Sequence, residues 1–197
     1  MAPLPISAQD PVGHIATMVG FGTYGTGQAI LDEENTRKRA AQNTVDGILG
    51  FGFGPNDNGA LVFDFDHPEG TTNSVTREYG TPSDPLPLPL EGSTSFGDSG
   101  GPLLVDFGEG FSIVAVASSG FNPFSRTEDD ERVSLYGDIA EWAPVRHAEN
   151  VAFLQSHGLT VLGAGDAETQ PDADGDGVPD AEDFCPTFPG RPETNGR

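Results

Sequence analysis

The six residues Gly97-Asp98-Ser99-Gly100-Gly101-Pro102, followed without a break by the apolar run Leu103-Leu104-Val105, constrain this chain more than any other stretch. Glycine permits backbone conformations that other residues avoid, so the segment is a turn, and the apolar run behind it is a strand entering a core. Composition extends the same pattern to the whole chain. With 27 Gly, 17 Pro and many Val, Phe, Thr and Ser in short runs over 197 residues, strands and turns are favoured over long helices. The length suits one ordinary domain plus a small appendage, and the expected fold class is all-β.

Charge excludes whole classes of partner. The formal net charge is −22, with 9 Lys and Arg against 31 Asp and Glu. Phosphate contacts are made chiefly by Lys and Arg, so a nucleic-acid or anionic-membrane surface is not expected. No apolar stretch approaches the roughly 20 residues of a membrane-spanning helix. The amino-terminal residues Met1-Ala-Pro-Leu-Pro-Ile lack the basic start and apolar core of a signal peptide. Cys185 is the sole cysteine, so no disulfide forms within the chain.

Along the chain, Ile15 to Gly22 reads as a buried strand ending in glycine turns. Gly20-x-Gly22-x-x-Gly25 also matches a dinucleotide-binding fingerprint, but no helical periodicity or strand–helix–strand unit follows it, and the nucleotide reading falls. The segment Arg37 to Asp46 reads as a surface connection. Gly59 to Phe65 alternates as a strand, with Asp64 and Asp66 directed away from its apolar face. Thr81 to Pro89, with four prolines, is an extended surface loop rather than a central strand. Phe111 to Ser119 is a strand and Asn122 to Glu131 a polar loop. Arg146 to His157 is a helix started by Pro144 and stopped by Gly158, with Ala148, Val151, Ala152 and Leu154 at helical spacing.

The hexapeptide resembles the nucleophile loop of trypsin-like serine endopeptidases, the chymotrypsin-fold family. Two further segments support the likeness: Val19-Gly20-Phe21-Gly22 is similar to the strand that opens the family's second barrel, and Val133-Ser-Leu-Tyr-Gly-Asp-Ile139 to its last strand. The resemblance covers residues 14–158 and implies the second antiparallel β-barrel of that fold, closed by a C-terminal helix, with 1–13 as an inter-barrel connector. It implies that Ser99 is the nucleophile and that the N–H groups of Gly97 and Ser99 bind the oxyanion of a tetrahedral intermediate. Asp98 would bind a freed N-terminal ammonium and lock the loop. The substrate pocket maps to Ser93 at its base, Ser118-Ser119-Gly120 along one wall and Ser134 on the other. Ser119 and Ser134 depart from the Trp and Gly common in the family. None of the histidines, His14, His67, His147 and His157, lies in the family's catalytic context. The catalytic His and Asp, carried by the family's first barrel, are therefore expected upstream of Met1, and activity of the chain alone is not expected.

Residues 159–170 read as a linker into a second motif at 171–197. Residues 166–183 carry eight Asp and Glu with no Lys or Arg, which by itself describes a solvated acidic run. Within it, Asp172, Asp174 and Asp176 stand at positions 1, 3 and 5 of a loop, Gly177 at 6, Val178 at 7 and Asp183 at 12, with Asp180 between. Carboxylates there and a backbone carbonyl from Val178 make the oxygen shell that calcium takes. With Cys185-Pro186 after it, the segment resembles part of a thrombospondin type 3 repeat.

The combined expectation is a serine endopeptidase of a secreted or cell-surface bacterial protein, acting on protein or peptide substrate. Its cofactor is calcium in the tail, with none for catalysis, and its partner is the missing N-terminal barrel. The competing class is a non-catalytic binding module derived from a protease, or a calcium-binding surface or adhesion protein.

Overall fold

The computed structural model describes residues 3–31, 37–50, 59–123 and 135–164. Among them the chain is mostly antiparallel β-sheet with two short helices. The strands are β1 (Ile6–Ser7), β2 (Ile15–Gly20), β3 (Tyr24–Gly25), β4 (Ile30–Leu31), β5 (Arg39–Thr44), β6 (Gly47–Leu49), β7 (Ala60–Asp64), β8 (Pro102–Asp106), β9 (Phe111–Phe121), β10 (Ile139–Pro144) and β11 (Val161–Leu162). The helices are α1 (Ser74–Tyr79) and α2 (Ala148–Ser156).

The main sheet runs β5-β2-β8-β9-β10-β7-β6, antiparallel at every step. Its outer members β5 and β6 are consecutive in the chain, joined by Val45-Asp46 alone. Thr44 and Gly47 can therefore lie at most about 11 Å apart, and the sheet curls so that its two ends approach. The side chain of Asn43 spans the gap, its amide donating to the carbonyl of Asp64 at 2.7 Å. The core fills the inside of the curl with alternate residues of each strand: Ala16 and Met18, Leu103 and Val105, Ala115 and Ala117, Leu61 and Phe63, Ala140 and Trp142. Trp142 is 1% exposed and packs on Phe63 at 5.8 Å between ring centroids. β1 pairs in parallel with both β11 and β9.

Several expectations are corrected. The 37–46 segment is not a connection, since Arg39–Thr44 forms β5, paired along its length with β2. An edge strand with half-buried side chains needs no apolar alternation, so its polar sequence concealed it. Asp64 and Asp66 are buried, at 2% and 5% exposure. β7 lies between β10 and β6 and is covered on both faces, which removes the solvent side that alternation implied. Of the stretch 133–139 expected as the last strand, Ile139 is the first residue of β10 and Leu135–Asp138 lie outside that strand. Residues 133 and 134 lie outside the described residues, and Asp138 closes a turn by accepting the Leu135 N–H at 2.7 Å. Pro144 ends β10 and does not start the helix, which begins after His147. Gly158, at φ +78°, does follow its C-terminal end. Helix α1 was not foreseen, although Asn73 caps it by accepting the Thr76 N–H and Gly80 ends it in the left-handed conformation.

Candidate functional site

The glycines that end β2 form one wall of the turn before β8. The Asp98 carboxylate crosses between them: Oδ1 accepts the Gly22 N–H at 2.8 Å and Oδ2 accepts the Ser95 N–H at 3.0 Å. A Cβ on Gly20 would overlap Asp98 Oδ1, and one on Gly22 would stand 2.7 Å from it and 2.5 Å from the Phe96 carbonyl. Both positions therefore need glycine for close approach. The Thr23 N–H donates to that same Phe96 carbonyl at 2.8 Å, and the Thr23 and Ser95 hydroxyls meet at 2.5 Å. On the other side, Gly100 N–H donates to Ala117 and Ala117 N–H to Gly101, both at 2.9 Å, stitching the turn to β9.

This bonding is selective. The N–H groups of Asp98, Gly100 and Gly101 are all taken, by Ser95, Ala117 and Asp98 carbonyls. Among the described residues, those of Gly97 and Ser99 have no acceptor. Gly97 holds φ +94°, a conformation that favours glycine. Ser99 is exposed at the apex. Among the described residues the turn thus presents an exposed serine and two amide donors without acceptors, on a backbone fixed by the bonds of its neighbours.

The predicted pocket residues divide into two groups. Ser93 lines a cavity of about 220 Å³ together with Gly20, Arg39, Glu91, Asp98 and Trp142. Ser118, Ser119 and Gly120 instead extend β9 beyond Ala117 and do not line that cavity. Across the ladder, Ser119 faces Glu141 and Gly120 faces Ala140, and the Ser119 hydroxyl donates to Glu141 Oε2 at 2.5 Å. Ser134 lies outside the described residues, as do Asp172, Asp174, Asp176, Val178, Asp180 and Asp183.

No hydrogen bond joins Ser99 to a histidine among the described residues. His14 packs edge-on against Phe107, His67 against Tyr136 and His157 on Phe153, while His147 precedes α2.

A second constellation, not visible in the sequence, is a junction of four carboxyl groups. Asp46 follows β5, Asp64 ends β7, Asp66 lies just beyond it, and Glu91 precedes Ser93 by two residues. Glu91 accepts the Asp66 N–H at 2.8 Å and the Leu88 N–H at 2.7 Å. Asp64 Oδ2 accepts the N–H groups of Ser74 and Val75 at the start of α1, and the Asp46 and Asp64 side chains lie within hydrogen-bonding reach of each other. Asp66 Oδ1 is buried with no donor among the described residues. Burial first, then the Asp64 charge, pushes Asp46 and Asp66 from the ordinary 3.8 up to about 8. Burial also raises Asp64 and Glu91, against the lowering effect of the N–H groups that each accepts. A periodicity argument could not find this group, because its members lie 45 residues apart in sequence and meet only when the sheet curls.

No protein-family model and no curated protein sequence matches this chain. Among the described residues, no helix is long and apolar enough to cross a membrane.

Proposed function

We propose that the chain carries the nucleophile half of a trypsin-like serine endopeptidase, with the curled sheet as the second barrel of a chymotrypsin-type fold. The observation that carries this reading is the turn at 97–101, where an exposed serine stands beside two unbonded amide donors while the neighbouring amides are all engaged. In the proposed reaction Ser99 Oγ attacks a peptide carbonyl carbon, its proton passes to a histidine, and the carbonyl electron pair moves onto an oxygen held by the Gly97 and Ser99 amides. The histidine and its aspartate come from a first barrel outside these residues. Asp98 sets the shape of the turn. Its carboxylate is already held by Gly22 and Ser95, a departure from the N-terminal ammonium that the family likeness implies.

Substrate choice follows from charge. Ser93 is neutral, and both oxygens of the adjacent Glu91 are engaged by backbone N–H groups. A buried cation left unpaired costs several kcal/mol, so an uncharged side chain is expected before the scissile bond. Profiling against a peptide library checks this, and dominant cleavage after Arg or Lys would refute it. The acidic segment 171–185 is proposed to bind one calcium ion at roughly 10⁻⁴–10⁻³ M, consistent with a secreted or surface location. Calorimetric titration of the whole chain, with Asp176→Ala as control, tests that part separately.

The central test is peptide turnover by the protein in its native full-length context, compared with Ser99→Ala. Turnover lost with the hydroxyl supports the peptidase. Tight peptide binding with no turnover, unaffected by Ser99→Ala, would instead establish the non-catalytic binding module.

A further inference from the structure

The cavity of about 220 Å³ beside the turn is lined by two residues whose donors have nothing to donate to. Arg39 Nη1 and Trp142 Nε1 are buried, with no acceptor among the described residues. Trp142 is 1% exposed, and its indole N–H can only donate, so an acceptor inside the cavity is what would satisfy it. Arg39 begins β5, opposite Gly20 of β2. Its guanidinium carbon stands 3.8 Å from the centroid of the Tyr24 ring. A guanidinium laid over a ring uses its face there and keeps its N–H groups, which lie in its own plane, for other partners.

The lining defines the chemistry of that partner. Among the described residues Arg39 is the only cation in it, and no carboxylate pairs with Arg39 although the chain has 31 Asp and Glu. Glu91 and Asp98 also line the cavity, but each of their oxygens already accepts a backbone N–H, from Asp66 and Leu88 for Glu91 and from Gly22 and Ser95 for Asp98. Their charges still oppose a dianion such as phosphate, so the one cation suits a single negative charge. A planar carboxylate matches the guanidinium fork. Met18, Ala41 and Phe65 supply apolar wall. Gly97, Ser99 and residues 118–120, which the peptidase reading places against substrate, are not in the lining.

We infer that this cavity binds a small monocarboxylate with a short apolar body, its carboxylate accepting from the Arg39 guanidinium and the Trp142 indole and its apolar part lying against Met18, Ala41 and Phe65. Asp98 is both a wall of the cavity and the brace of the turn, so the ligand sits against that brace from the side away from Ser99. The site does not depend on the peptidase reading.

The test is titration of the whole chain with sodium butyrate at constant ionic strength, read by the fluorescence of Trp142, its sole tryptophan. A saturable change with its midpoint at or below about 10 mM is expected. Sodium chloride and butylammonium chloride over the same range are expected to give none. Arg39→Gln is expected to weaken butyrate binding about tenfold or more. No saturable change in the wild-type chain up to about 100 mM would mean that water satisfies the two donors, and it overturns the site without needing a variant to fold. Saturation by butylammonium to the same extent as by butyrate overturns it too, as does butyrate binding of equal strength in a folded Arg39→Gln chain.

Discussion

The turn around Ser99 and the carboxyl junction use the same residue type in opposite ways. At the turn one carboxylate, Asp98, meets two backbone donors, one for each oxygen. At the junction four carboxyl groups crowd together, and Asp66 Oδ1 has no donor among the described residues. A carboxylate with its lone pairs engaged is a fixed strut, whereas a crowd of partly engaged carboxyl groups depends on how many protons it holds. The rigid device lies beside the exposed serine. The adjustable one lies a few residues upstream, on the segment that leads to it.

The largest effect that would sharpen this contrast is chemical. In a catalytically complete protein, Ser99→Ala is expected to lower kcat about 10⁶-fold, with thermal stability unchanged because the side chain is exposed and makes no hydrogen bond among the described residues. A marked loss of stability would mean that Ser99 belongs to the strut. Next comes the glycine wall. Gly20→Ala drives a Cβ into Asp98 and is expected to cost about 3 kcal/mol in denaturant unfolding; an unchanged midpoint would show that the Asp98 brace yields freely.

Asp98→Asn leaves a single acceptor oxygen for two N–H groups, an expected loss of about 2 kcal/mol in denaturant unfolding. A last effect has the opposite sign. Asp66→Asn is expected to stabilise the chain near pH 8 and to make little difference near pH 4, because the folded wild type must hold or lose a buried proton only in the upper range. Melting curves at the two pH values check it. An equal effect of Asp66→Asn at the two pH values would show that no buried proton is held at that carboxyl.

Strands that bury a continuous apolar run were legible in the sequence. β2, β7 and β9 lie within a residue or two of their expected bounds, because Ile15–Val19, Ala60–Phe63 and Phe111–Ala117 carry apolar residues dense enough to need a core. The edge strand β5 was not legible, since only one of its six side chains is buried. The turn at 97–101 could be recognised because its chemistry is local, with all its glycines in one short stretch. The Asp98 brace depends on Gly20 and Gly22, more than seventy residues away. The carboxyl junction depends on tertiary closure throughout, and alternation placed Asp64 and Asp66 on the wrong side because it assumes a sheet with a wet face.

The parallel pairing of β1 with β11 bears on how the protein responds to mechanical load. The chain enters β1 at Ile6 and leaves β11 at Leu162, and the two strands run the same way with Ile6 opposite Val161. Tension applied to the polypeptide on either side pulls the strands in opposite directions along their own axes. The Ala8–Leu162 bond at 2.7 Å and the Ile113–Pro5 bond at 2.9 Å, which fixes β1 to β9, are then strained together rather than one at a time. Force arriving from the flanking segments meets this clamp before it reaches β2 or β10, so the turn that holds Ser99 is shielded from pulling on the chain.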